Sequence, residues 1–475
     1  MKILYVASEV APFIKTGGLA DVAGALPQVL AQQGHDIRVV LPLYHKIGQE
    51  FRKEMAFATR FYVHLAWREQ YCGIMELERD GVVYYFVDNE YYFKRTGVYG
   101  YDDDSERFAF FSKAVLDMLP QVGFCPDVIN ANDWQAALIP TYHKLYYKVS
   151  DFYQNIKTVL TIHNIGYQGQ FGRHLMEDTL GINNFFFDCG FMELDGDVNY
   201  MKAGVLAADA VTTVSNTYAQ EIMTDYYGHG LQYILQENAA KVHGVINGLD
   251  VDLYNPESNP ALFEHYDVDT LEIKAKNKAK LMEMLSLDCD DDTPVIGIIS
   301  RFVSHKGFDL IAAVLEDILR MDVRLVVVGT GDSHYEEMFR TVKARHPEKV
   351  SVNIAFSEDL ANKVYAGADL FLMPSISEPC GLAQMIAMRY GTLPIVRETG
   401  GLADTVEAYR ADVETGDGFS FHDINAHDML HVIEQACHLF KTDRKAFTAI
   451  MKRAMVKDFT WDSSAKKYVE IYENC

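Results

Sequence analysis

Short apolar runs rich in β-branched residues alternate with longer amphipathic stretches along the chain. Such runs predict parallel strands, because a strand covered on both faces is apolar at nearly every position. In the first half we predict strands at 2–7, 37–41, 127–130, 158–162, 210–214 and 242–246. Four apolar residues after the first strand share one helical face: Val22, Leu26, Val29 and Leu30. They predict a helix from about Leu19 to Gln33 that ends at Gly34.

The pattern weakens between about Pro256 and Asp292, where lysines recur at every second position and an acidic run follows. We interpret this stretch as a linker with a surface helix. A second series of apolar runs then predicts strands at 295–300, 325–328, 350–353, 370–373 and 393–396. Two doubly wound units in succession predict a cleft between them, with ligands at the carboxyl ends of the strands.

The chain has 475 residues, which is too long for one ordinary core and favours two domains. Its formal net charge of −24 repels phosphate backbones, so we expect no nucleic-acid partner. The 7 cysteines are odd in number and form no CxxC pair, which argues against disulfides and zinc and favours the cytoplasm. No stretch reaches about 18 uncharged apolar residues, so no membrane partner is expected.

Glycines accompany basic residues at two predicted strand ends. Lys15–Gly18 follows the first strand and precedes the first helix, where free N–H groups and a lysine can bind an anion. Arg301 and Lys306 flank a turn after the first strand of the second series, and two cations there can hold a diphosphate. A tight turn and a solvated basic turn are the plainer interpretations. The dinucleotide fingerprint GxGxxG and the P-loop are both absent.

Two further glycine segments follow later strands. A buried strand is predicted to end at Pro374, and Glu378 stands just before Gly381 and Leu382. The backbone N–H groups of those two residues would face an anion at a helix start, while Glu378 can accept hydrogen bonds from sugar hydroxyls. The presence of Glu378 near a helix start would also be explained by its interaction with the helix dipole alone. Thr399–Leu402 repeats the glycine pair between a strand and a helix.

Polar segments at other strand ends complete the candidates. His163 follows a predicted strand, although a lone histidine is more often structural than catalytic. Asp133 and Trp134 are adjacent, which suits sugars because the acid binds hydroxyls and the indole stacks on C–H faces. A core tryptophan beside a helix-capping aspartate is the alternative. We interpret the acidic runs 102–104 and 290–292 as solvated loops and not as metal sites.

Together these segments resemble the bacterial glycogen synthase and plant starch synthase family. The likeness covers nearly the whole chain, from KILYVASEVAPFIKTGGLADV to FTWDSSAKKYVEIY. Its strongest pieces are KTGGLADVAGALP, VINGLDVDLYNP, SRFVSHKGFDL, SEPCGLAQMIAMRYGTLPIV and ETGGLADTV. Each piece is moderately specific, and their order and spacing make the likeness strong.

The resemblance implies an α/β fold of the GT-B type, in which two Rossmann-like doubly wound parallel-sheet domains face each other across a deep cleft. It implies a glucan acceptor domain at 1–250, a linker region at 251–292, a nucleotide-sugar domain at 293–455, and a terminal helix at 456–475 that crosses back to the first domain. The implied enzyme works without a metal or other cofactor. It transfers glucose from ADP-glucose to the non-reducing end of an α-1,4-glucan, either glycogen or a maltooligosaccharide, and retains the anomeric configuration.

The family's functional positions carry over to named residues here. The implied catalytic residues are Glu378, Arg301, Lys306 and His163. The implied nucleotide-sugar-binding residues are Lys15, Gly18, Gly381 and Leu382. The implied sugar-binding and acceptor-binding residues are Asp21, Tyr99, Asp133, Trp134 and Asn247. This assignment requires positive groups of both domains to converge on one diphosphate.

Three places depart from the family pattern. The family's usual HDWH is Asn132–Gln135 here, its frequent Arg-Phe pair is Ile376-Ser377, and a second glutamate of the wider GT-B pattern is Ile386. The alternatives are another nucleotide-sugar enzyme, such as a sucrose-type synthase or an epimerase, and a glucan-binding protein that has lost catalysis. A nicotinamide dehydrogenase is a third alternative, which the missing fingerprint disfavours.

Overall fold

The computed structural model describes residues 1–288, 290–355 and 357–475. Cys289, which stands in the second acidic region, lies outside the described residues. The chain divides into two compact units, the first formed by Met1–Gly248 with Trp461–Cys475 and the second by Leu249–Thr460. Both chain termini therefore belong to the first unit.

The strands of the first unit are β1 (Lys2–Val6), β2 (Asp36–Pro42), β3 (Ala56–Leu65), β4 (Arg68–Arg79), β5 (Val82–Asp88), β6 (Val128–Asn132), β7 (Lys157–Ile162), β8 (Gln170–Gly172), β9 (Glu193–Leu194), β10 (Asp197–Asn199), β11 (Ala210–Thr213) and β12 (Val242–Gly244). Within the described chain they form a nine-stranded sheet in the order β12-β11-β7-β6-β1-β2-β5-β4-β3, and a small sheet in the order β8-β10-β9. From β12 to β5 all neighbours are parallel, whereas β3, β4 and β5 pair antiparallel.

The six strands predicted for the first half are confirmed as β1, β2, β6, β7, β11 and β12, with ends that differ by at most about two residues. Central β1 shows why the prediction succeeds, since Ile3 to Val6 are all 0% exposed. The antiparallel extension β3–β5 was not predicted. Its edge strand β3 leaves Phe57 and Tyr62 largely exposed, so it lacks the uniform apolar run of a covered strand.

The helices of the first unit are α1 (Gly18–Gln32), α2 (Gln49–Glu54), α3 (Glu90–Phe93), α4 (Asp104–Gln121), α5 (Asp133–Ala136), α6 (Leu138–Tyr142), α7 (Phe185–Asp188), α8 (Tyr200–Ala207), α9 (Asn216–Glu221), α10 (Gln232–Glu237) and, at the end of the chain, α19 (Trp461–Asn474). The predicted first helix is confirmed as α1, and Gly34 after it has a φ of +90° with its N–H donating to Ala31 O at 3.0 Å. The terminal helix α19 packs against α1.

The second unit contains strands β13 (Val295–Ile299), β14 (Arg324–Val328), β15 (Val350–Asn353), β16 (Leu370–Met373), β17 (Leu393–Arg397) and β18 (Phe419–Phe421). Its helices are α11 (Lys274–Leu285), α12 (Phe308–Arg320), α13 (Ser333–Arg345), α14 (Glu358–Gly367), α15 (Ala383–Arg389), α16 (Gly400–Thr405), α17 (Ala426–Thr442) and α18 (Arg444–Val456). Over the described residues the sheet has the order β15-β14-β13-β16-β17-β18, and every pair is parallel. The five strands predicted here are confirmed.

The stretch expected to form a linker with a surface helix does contain a helix, α11, in which Lys276 and Lys280 are exposed, but the opposite face of this helix is buried. Lys274 is only 4% exposed. Its Nζ donates to Ala366 O at 2.8 Å and to Thr392 Oγ1 at 2.7 Å. Lys278 forms an ion pair with Asp369 at 2.9 Å. Because a lysine stem is apolar and its amine can be satisfied internally, a lysine-rich helix can be buried along one face.

The chain order reverses once within each parallel region. In the first unit the reversal lies between β1 and β6, and in the second unit between β13 and β16. At such a switch point the loops that leave two neighbouring strands diverge and open a crevice at the carboxyl ends. The α/β doubly wound architecture is thereby confirmed, and it places the candidate residues that follow these strands at the two reversals.

No helix within the described residues combines the length and apolar character that crossing a membrane requires.

Candidate active site

The loop after β1 is organised by a buried acid. Glu9 is 4% exposed, and its Oε2 accepts the Thr16 N–H at 2.5 Å. Burial raises the pKa of Glu9, while the Thr16 hydrogen bonds act in the opposite direction. The sequence prediction missed Glu9, although an acid that directly follows an apolar strand was a visible signal. Its role is to hold the backbone that presents Lys15 and Gly18.

Two candidates in this loop contact each other directly. Lys15 Nζ donates to Asp21 Oδ1 at 2.7 Å, and both side chains reach solvent. Gly18 begins α1, and a Cβ added there would meet nothing within 4 Å. The space beside this helix start is therefore open, as an anion-binding loop requires.

Tyr99 lies opposite the same strand end. Its hydroxyl forms a hydrogen bond with Ser8 Oγ at 2.7 Å, and burial raises the pKa of Tyr99. Its loop is fixed by Arg107, a fully buried residue whose Nη1 and Nη2 both donate to Val98 O at 3.2 Å. Asp104 pairs with Arg107 and accepts the neighbouring Gly100 N–H at 2.8 Å.

The interpretation of the run 102–104 as a solvated loop is therefore wrong for Asp104, which is only 6% exposed and holds the buried Arg107 in place, whereas Asp102 is exposed as expected. A buried guanidinium needs such an acid to offset its desolvation. In the run 290–292 the three acids are exposed, and the interpretation as a solvated loop is confirmed there.

Asp133 and His163 meet at the carboxyl ends of β6 and β7. Asp133 has a φ of +55°, and its Oδ1 accepts the His163 N–H at 2.7 Å. Burial raises the pKa of Asp133 to about 7, against the opposing effect of backbone N–H groups of His163 and Asn164. Burial lowers the pKa of His163 to about 3, so its imidazole is neutral at physiological pH. Asp133 thus fixes the loop that carries His163 and does not cap α5.

Trp134 lies in an aromatic cluster. Its ring centroid is 5.1 Å from that of Phe108 and 5.7 Å from that of Phe171. Gly169, with a φ of +66°, approaches so closely that a Cβ there would lie 2.6 Å from the indole. These contacts show that part of the Trp134 side chain packs in the core, as one of the two interpretations predicted. The part that stays exposed is available to a ligand.

Asn247 follows β12, and its loop is held by the terminal helix. Ser464 Oγ donates to Ile246 O at 2.6 Å, and a Cβ at Gly248 would lie 2.6 Å from Trp461 Cα. The Asn247 side chain is 7% exposed, and its Oδ1 has no hydrogen-bond partner within the described residues. An unpaired buried acceptor of this kind is costly and suits a site that receives a donor group from a ligand.

In the second unit the structure brings Lys306 and Glu378 together at the β13–β16 reversal, and Arg301 lies near enough for its charge to act on the neighbouring His305. Lys306 Nζ lies 2.5 Å from Glu378 Oε2, and Ser375 Oγ donates to the same oxygen at 3.0 Å. Arg301 is exposed, and it has no carboxylate partner among the described residues. His305 lies beside them: burial lowers its pKa, and the cations Lys306 and Arg301 lower it further, whereas Glu378 acts in the opposite direction.

The Glu378 loop is supported by the next strand. Arg397, at the end of β17 and 5% exposed, donates from Nε to Ser375 O at 3.0 Å and from Nη2 to Ile376 O at 2.6 Å. Gly401 N–H donates to Glu378 O at 3.1 Å. Gly400 has a φ of +45°, and a Cβ there would lie 2.0 Å from Glu378 O. The glycine pair of Thr399–Leu402 therefore serves close backbone packing, and Arg397 is a positioning residue that the sequence prediction missed.

Gly381 and Leu382 lead directly into α15. Gly381 has a φ of +74°, and Leu382 occupies the N-cap position. The buried Gln384 donates from Nε2 to Gly381 O at 2.9 Å and to Cys380 O at 3.2 Å. The turn is thus fixed from behind by a side chain, which leaves the backbone N–H groups at the helix start directed away from the helix.

Two family models match successive parts of the chain. Residues 2–237 match the family model of the starch synthase catalytic domain, and residues 284–450 match that of glycosyl transferases group 1. A glycogen synthase of Desulforamulus reducens is 49% identical over 100% of this chain and 98% of its own length. A glycogen synthase of Clostridium novyi is 48% identical over 100% of this chain and 99% of its own length.

Solved structures extend the likeness to three dimensions. The catalytic domain of starch synthase IV from Arabidopsis thaliana, bound to ADP and acarbose, has a TM-score of 0.90 at 31% identity and covers 99% of this chain and 98% of its own. Sucrose-phosphate synthase from Thermosynechococcus elongatus shares the fold alone, with a TM-score of 0.61 at 15% identity. The match covers 100% of this chain and 98% of that protein. The GT-B fold and the resemblance stated from the sequence are confirmed. The chain belongs to the glycogen synthase and starch synthase family of glycosyltransferases.

Proposed function

We propose that this glycosyltransferase takes the glucosyl group from ADP-glucose and adds it to the non-reducing end of an α-1,4-glucan, with retention of the anomeric configuration. The proposal is supported by relatives named glycogen synthase and by the starch synthase structure that is bound to ADP and acarbose. ADP is the molecule that ADP-glucose leaves behind when its glucose has been transferred. Glycogen or a maltooligosaccharide would be the acceptor.

The observation that carries the proposal is the Lys306–Glu378 pair beside Arg301 at the β13–β16 reversal. A diphosphate gains negative charge as its bond to glucose breaks, and fixed cations stabilise that charge in the transition state. The carboxylate of Glu378 offsets part of the Lys306 charge and holds the ammonium in place. Arg301, without a carboxylate partner in the described chain, would contribute its full charge to the phosphates.

The backbone groups in the second unit would complete the diphosphate site. The N–H groups of Gly381 and Leu382 lie at a helix start, where the dipole favours an anion. Glu378 would in addition orient the hydroxyls of the transferred glucose through the carboxylate oxygen that Lys306 leaves available.

The first unit would supply the remaining contacts. Lys15 and Gly18 are assigned to the phosphates, and His163 to the sugar near its anomeric carbon. The residues assigned to the sugar and acceptor are Asp21, Tyr99, Asp133, Trp134 and Asn247. Because Lys15 pairs with Asp21, the lysine would exchange this carboxylate for a phosphate when the donor binds.

Retention follows if the new bond forms on the face that the old bond leaves. The departing phosphate would take the proton of the glucan 4-hydroxyl on that face, so no protein nucleophile is required. Exclusion of water would strengthen each of these electrostatic contacts.

The test is a transfer assay with glucose-labelled ADP-glucose and UDP-glucose, each with glycogen as acceptor. We expect labelled polymer from ADP-glucose, with the label released by an enzyme that cleaves α-1,4 bonds from non-reducing ends. Preference for UDP-glucose would overturn the donor assignment. Tight glucan binding with no transfer from either donor would favour a glucan-binding protein that has lost catalysis. The cytoplasmic location stays a prediction.

A further inference from the structure

Asn132 occupies the position where the family pattern has the first histidine of HDWH, and its side-chain orientation is determined by its neighbours. It is 0% exposed. Its Nδ2 donates to the main-chain oxygen of Val6 at 2.9 Å and lies 3.4 Å from that of Asn130. Both of these oxygens can only accept hydrogen bonds. The amide nitrogen must therefore face them, and the amide oxygen must face the other way.

The oxygen of Asn132 faces Tyr5 and His163. Tyr5 OH donates to Asn132 Oδ1 at 3.0 Å, and His163 Nε2 lies 2.9 Å from the same atom. An amide oxygen has no proton to give, so Nε2 must carry the proton of this contact. The opposite tautomer would set two lone pairs against each other inside the sheet.

The other ring nitrogen of His163 is the one left for a ligand. Within the described chain no residue hydrogen-bonds to Nδ1, and the His163 side chain is half-buried at the carboxyl end of β7. Burial also disfavours the doubly protonated ring. A neutral ring protonated at Nε2 keeps a lone pair on Nδ1 at every physiological pH.

We propose that Asn132 is a positioning residue that locks His163 in the neutral Nε2–H tautomer, so that Nδ1 accepts a hydrogen bond from a sugar hydroxyl. The inference about the hydroxyl rests on the proposed function, whereas the tautomer itself does not. A histidine at position 132 could donate or accept and would leave the tautomer of His163 undetermined. Where the family pattern has a histidine that can gain or lose a proton, this chain has the Asn132 amide oxygen, which can only accept a hydrogen bond.

The titratable groups around His163 are few. Asp133 binds its backbone N–H, and Glu9 influences Asp133 from the loop after β1. Tyr5 shares the Asn132 oxygen, and Tyr218 accepts the Ile165 N–H nearby. Tyr99 also lies close enough to Asp133 for their charges to interact. Since the pKa of Asp133 is raised to about 7, each variant must be compared with the wild type at the same pH.

The direct test is nitrogen NMR on the protein labelled with ¹⁵N-histidine. The His163 signals are assigned as those that are missing from the spectrum of His163→Gln. We expect a protonated Nε2 and an unprotonated Nδ1 for His163 from pH 5.5 to 8. A proton on Nδ1, or titration of this ring near pH 6.5, would overturn the proposal. Because this readout needs no glucosyl transfer, a correct tautomer in an inactive protein would count against the proposed function alone.

The second test compares Asn132→Asp with Asn130→Asp, which introduces the same buried carboxyl two residues earlier on β6, without contact to His163. In Asn132→Asp an ionised carboxylate accepts the Nε2–H bond and favours the imidazolium as pH falls, whereas a protonated carboxyl donates to Nε2 and moves the ring proton to Nδ1. At pH 6 either effect leaves fewer molecules with a lone pair on Nδ1.

We therefore expect changed His163 nitrogen signals only in Asn132→Asp. The same variant should show a kcat at pH 6 about tenfold or more below wild type, with KM for the donor nearly unchanged. If the His163 nitrogen signals change no more in Asn132→Asp than in Asn130→Asp, Asn132 does not determine the tautomer of His163.

Discussion

At the carboxyl ends of β6 and β7 in the first sheet the polar side chains are mostly neutral, whereas at the β13–β16 reversal of the second sheet they are charged. His163, Asn132 and Tyr99 form hydrogen bonds without net charge, and Asp133 is buried enough that its pKa rises to about 7. Lys306 and Glu378 in the second unit form a 2.5 Å ion pair. The same kind of topological switch point thus carries two different chemistries.

Under the proposed function, the difference matches what each half of a glucosyl transfer requires. A diphosphate that gains charge needs cations that are already fixed, because reorientation during the reaction would cost free energy. Sugar hydroxyls are neutral, and they are recognised by lone pairs and N–H groups of fixed direction. Burial that keeps the His163 imidazole neutral would deprive a phosphate of a cation but is tolerable around a sugar.

The largest effect on turnover is expected from removing the positive charge of Lys306 in the second unit. Lys306→Ala should lower kcat about 10³-fold, equivalent to about 4 kcal/mol, because the leaving diphosphate loses a transition-state contact. Steady-state kinetics with ADP-glucose and glycogen measures this. Lys452→Ala, which removes an exposed lysine of α18, is the matched control and should leave kcat unchanged. Near-normal turnover in Lys306→Ala would contradict the assignment of charge chemistry to this edge.

The second prediction concerns the acid of the first unit. The pKa of Asp133 is about 7 in the folded state and about 3.9 when unfolded, so the folded protein binds this proton more tightly. Its contribution to the free energy of unfolding is present at low pH and is lost as pH rises from about 4 to 7, by at most about 4 kcal/mol. Asp133→Asn should abolish this decline.

Urea unfolding between pH 4.5 and 8 tests the prediction for Asp133. Asparagine tolerates the left-handed φ of +55°, so the substitution adds no backbone strain. Asp195→Asn is the matched control, because Asp195 has a φ of +53° and is exposed. Equal pH dependence in the wild type and Asp133→Asn would show that this carboxyl is ionised in the folded protein like any surface acid.

The third prediction separates positioning from charge within the second unit. Arg397→Met should lower kcat about 10-fold to 100-fold while KM for the donor changes little, because the loop that carries Glu378 loses two hydrogen bonds to its carbonyls. Arg397→Lys, which keeps the charge and one donor group, should recover part of the loss. Arg410→Met removes an exposed arginine and serves as the control. A large rise in KM with unchanged kcat would instead place Arg397 in ground-state binding.

The sequence predicted the strand ends and the residues that follow them, because apolar runs and glycine turns are local signals. Lys306 and Glu378 were both proposed from such turns, and the structure brings them into contact. Their pairing depends on β13 and β16 being neighbours in the sheet, which no local pattern reveals. Arg397 was missed for the same reason, since it acts on a loop more than 20 positions away along the chain.

Burial was the other quantity that the sequence could not supply. Asp104 and Lys274 looked like surface charges in an acidic run and a lysine repeat, and both are buried. Asp104 pairs with Arg107 of its own helix, whereas Lys274 bonds to Ala366 in a distant segment. Glu9 could have been noticed, because an acid beside an apolar strand must be satisfied. Its partner, the Thr16 N–H, lies seven positions on in a loop whose course the sequence leaves open.

The smallest effect is expected where the neutral network of the first unit reaches the terminal helix. Tyr472 OH donates to Asn130 Oδ1 at 2.5 Å, and Asn130 Nδ2 donates in turn to Thr161 Oγ1 at 2.8 Å, with all three residues buried. Tyr472→Phe removes one hydroxyl and leaves the Asn130 oxygen without this donor. The expected loss in the free energy of unfolding is about 1–2 kcal/mol.

The effect of Tyr472→Phe should be confined to the first unit. Amide hydrogen exchange should speed up in α19 and β6, which the lost bond joins, and in β7, which Asn130 contacts through Thr161, and it should stay unchanged in the second unit. Tyr226→Phe removes an exposed hydroxyl and should alter neither quantity. Asn130→Ala should cost less in the Tyr472→Phe background than in the wild type, since the partner of Asn130 is already gone. Additive losses would mean that the two side chains act independently, and that the neutral network ends before it reaches the terminal helix.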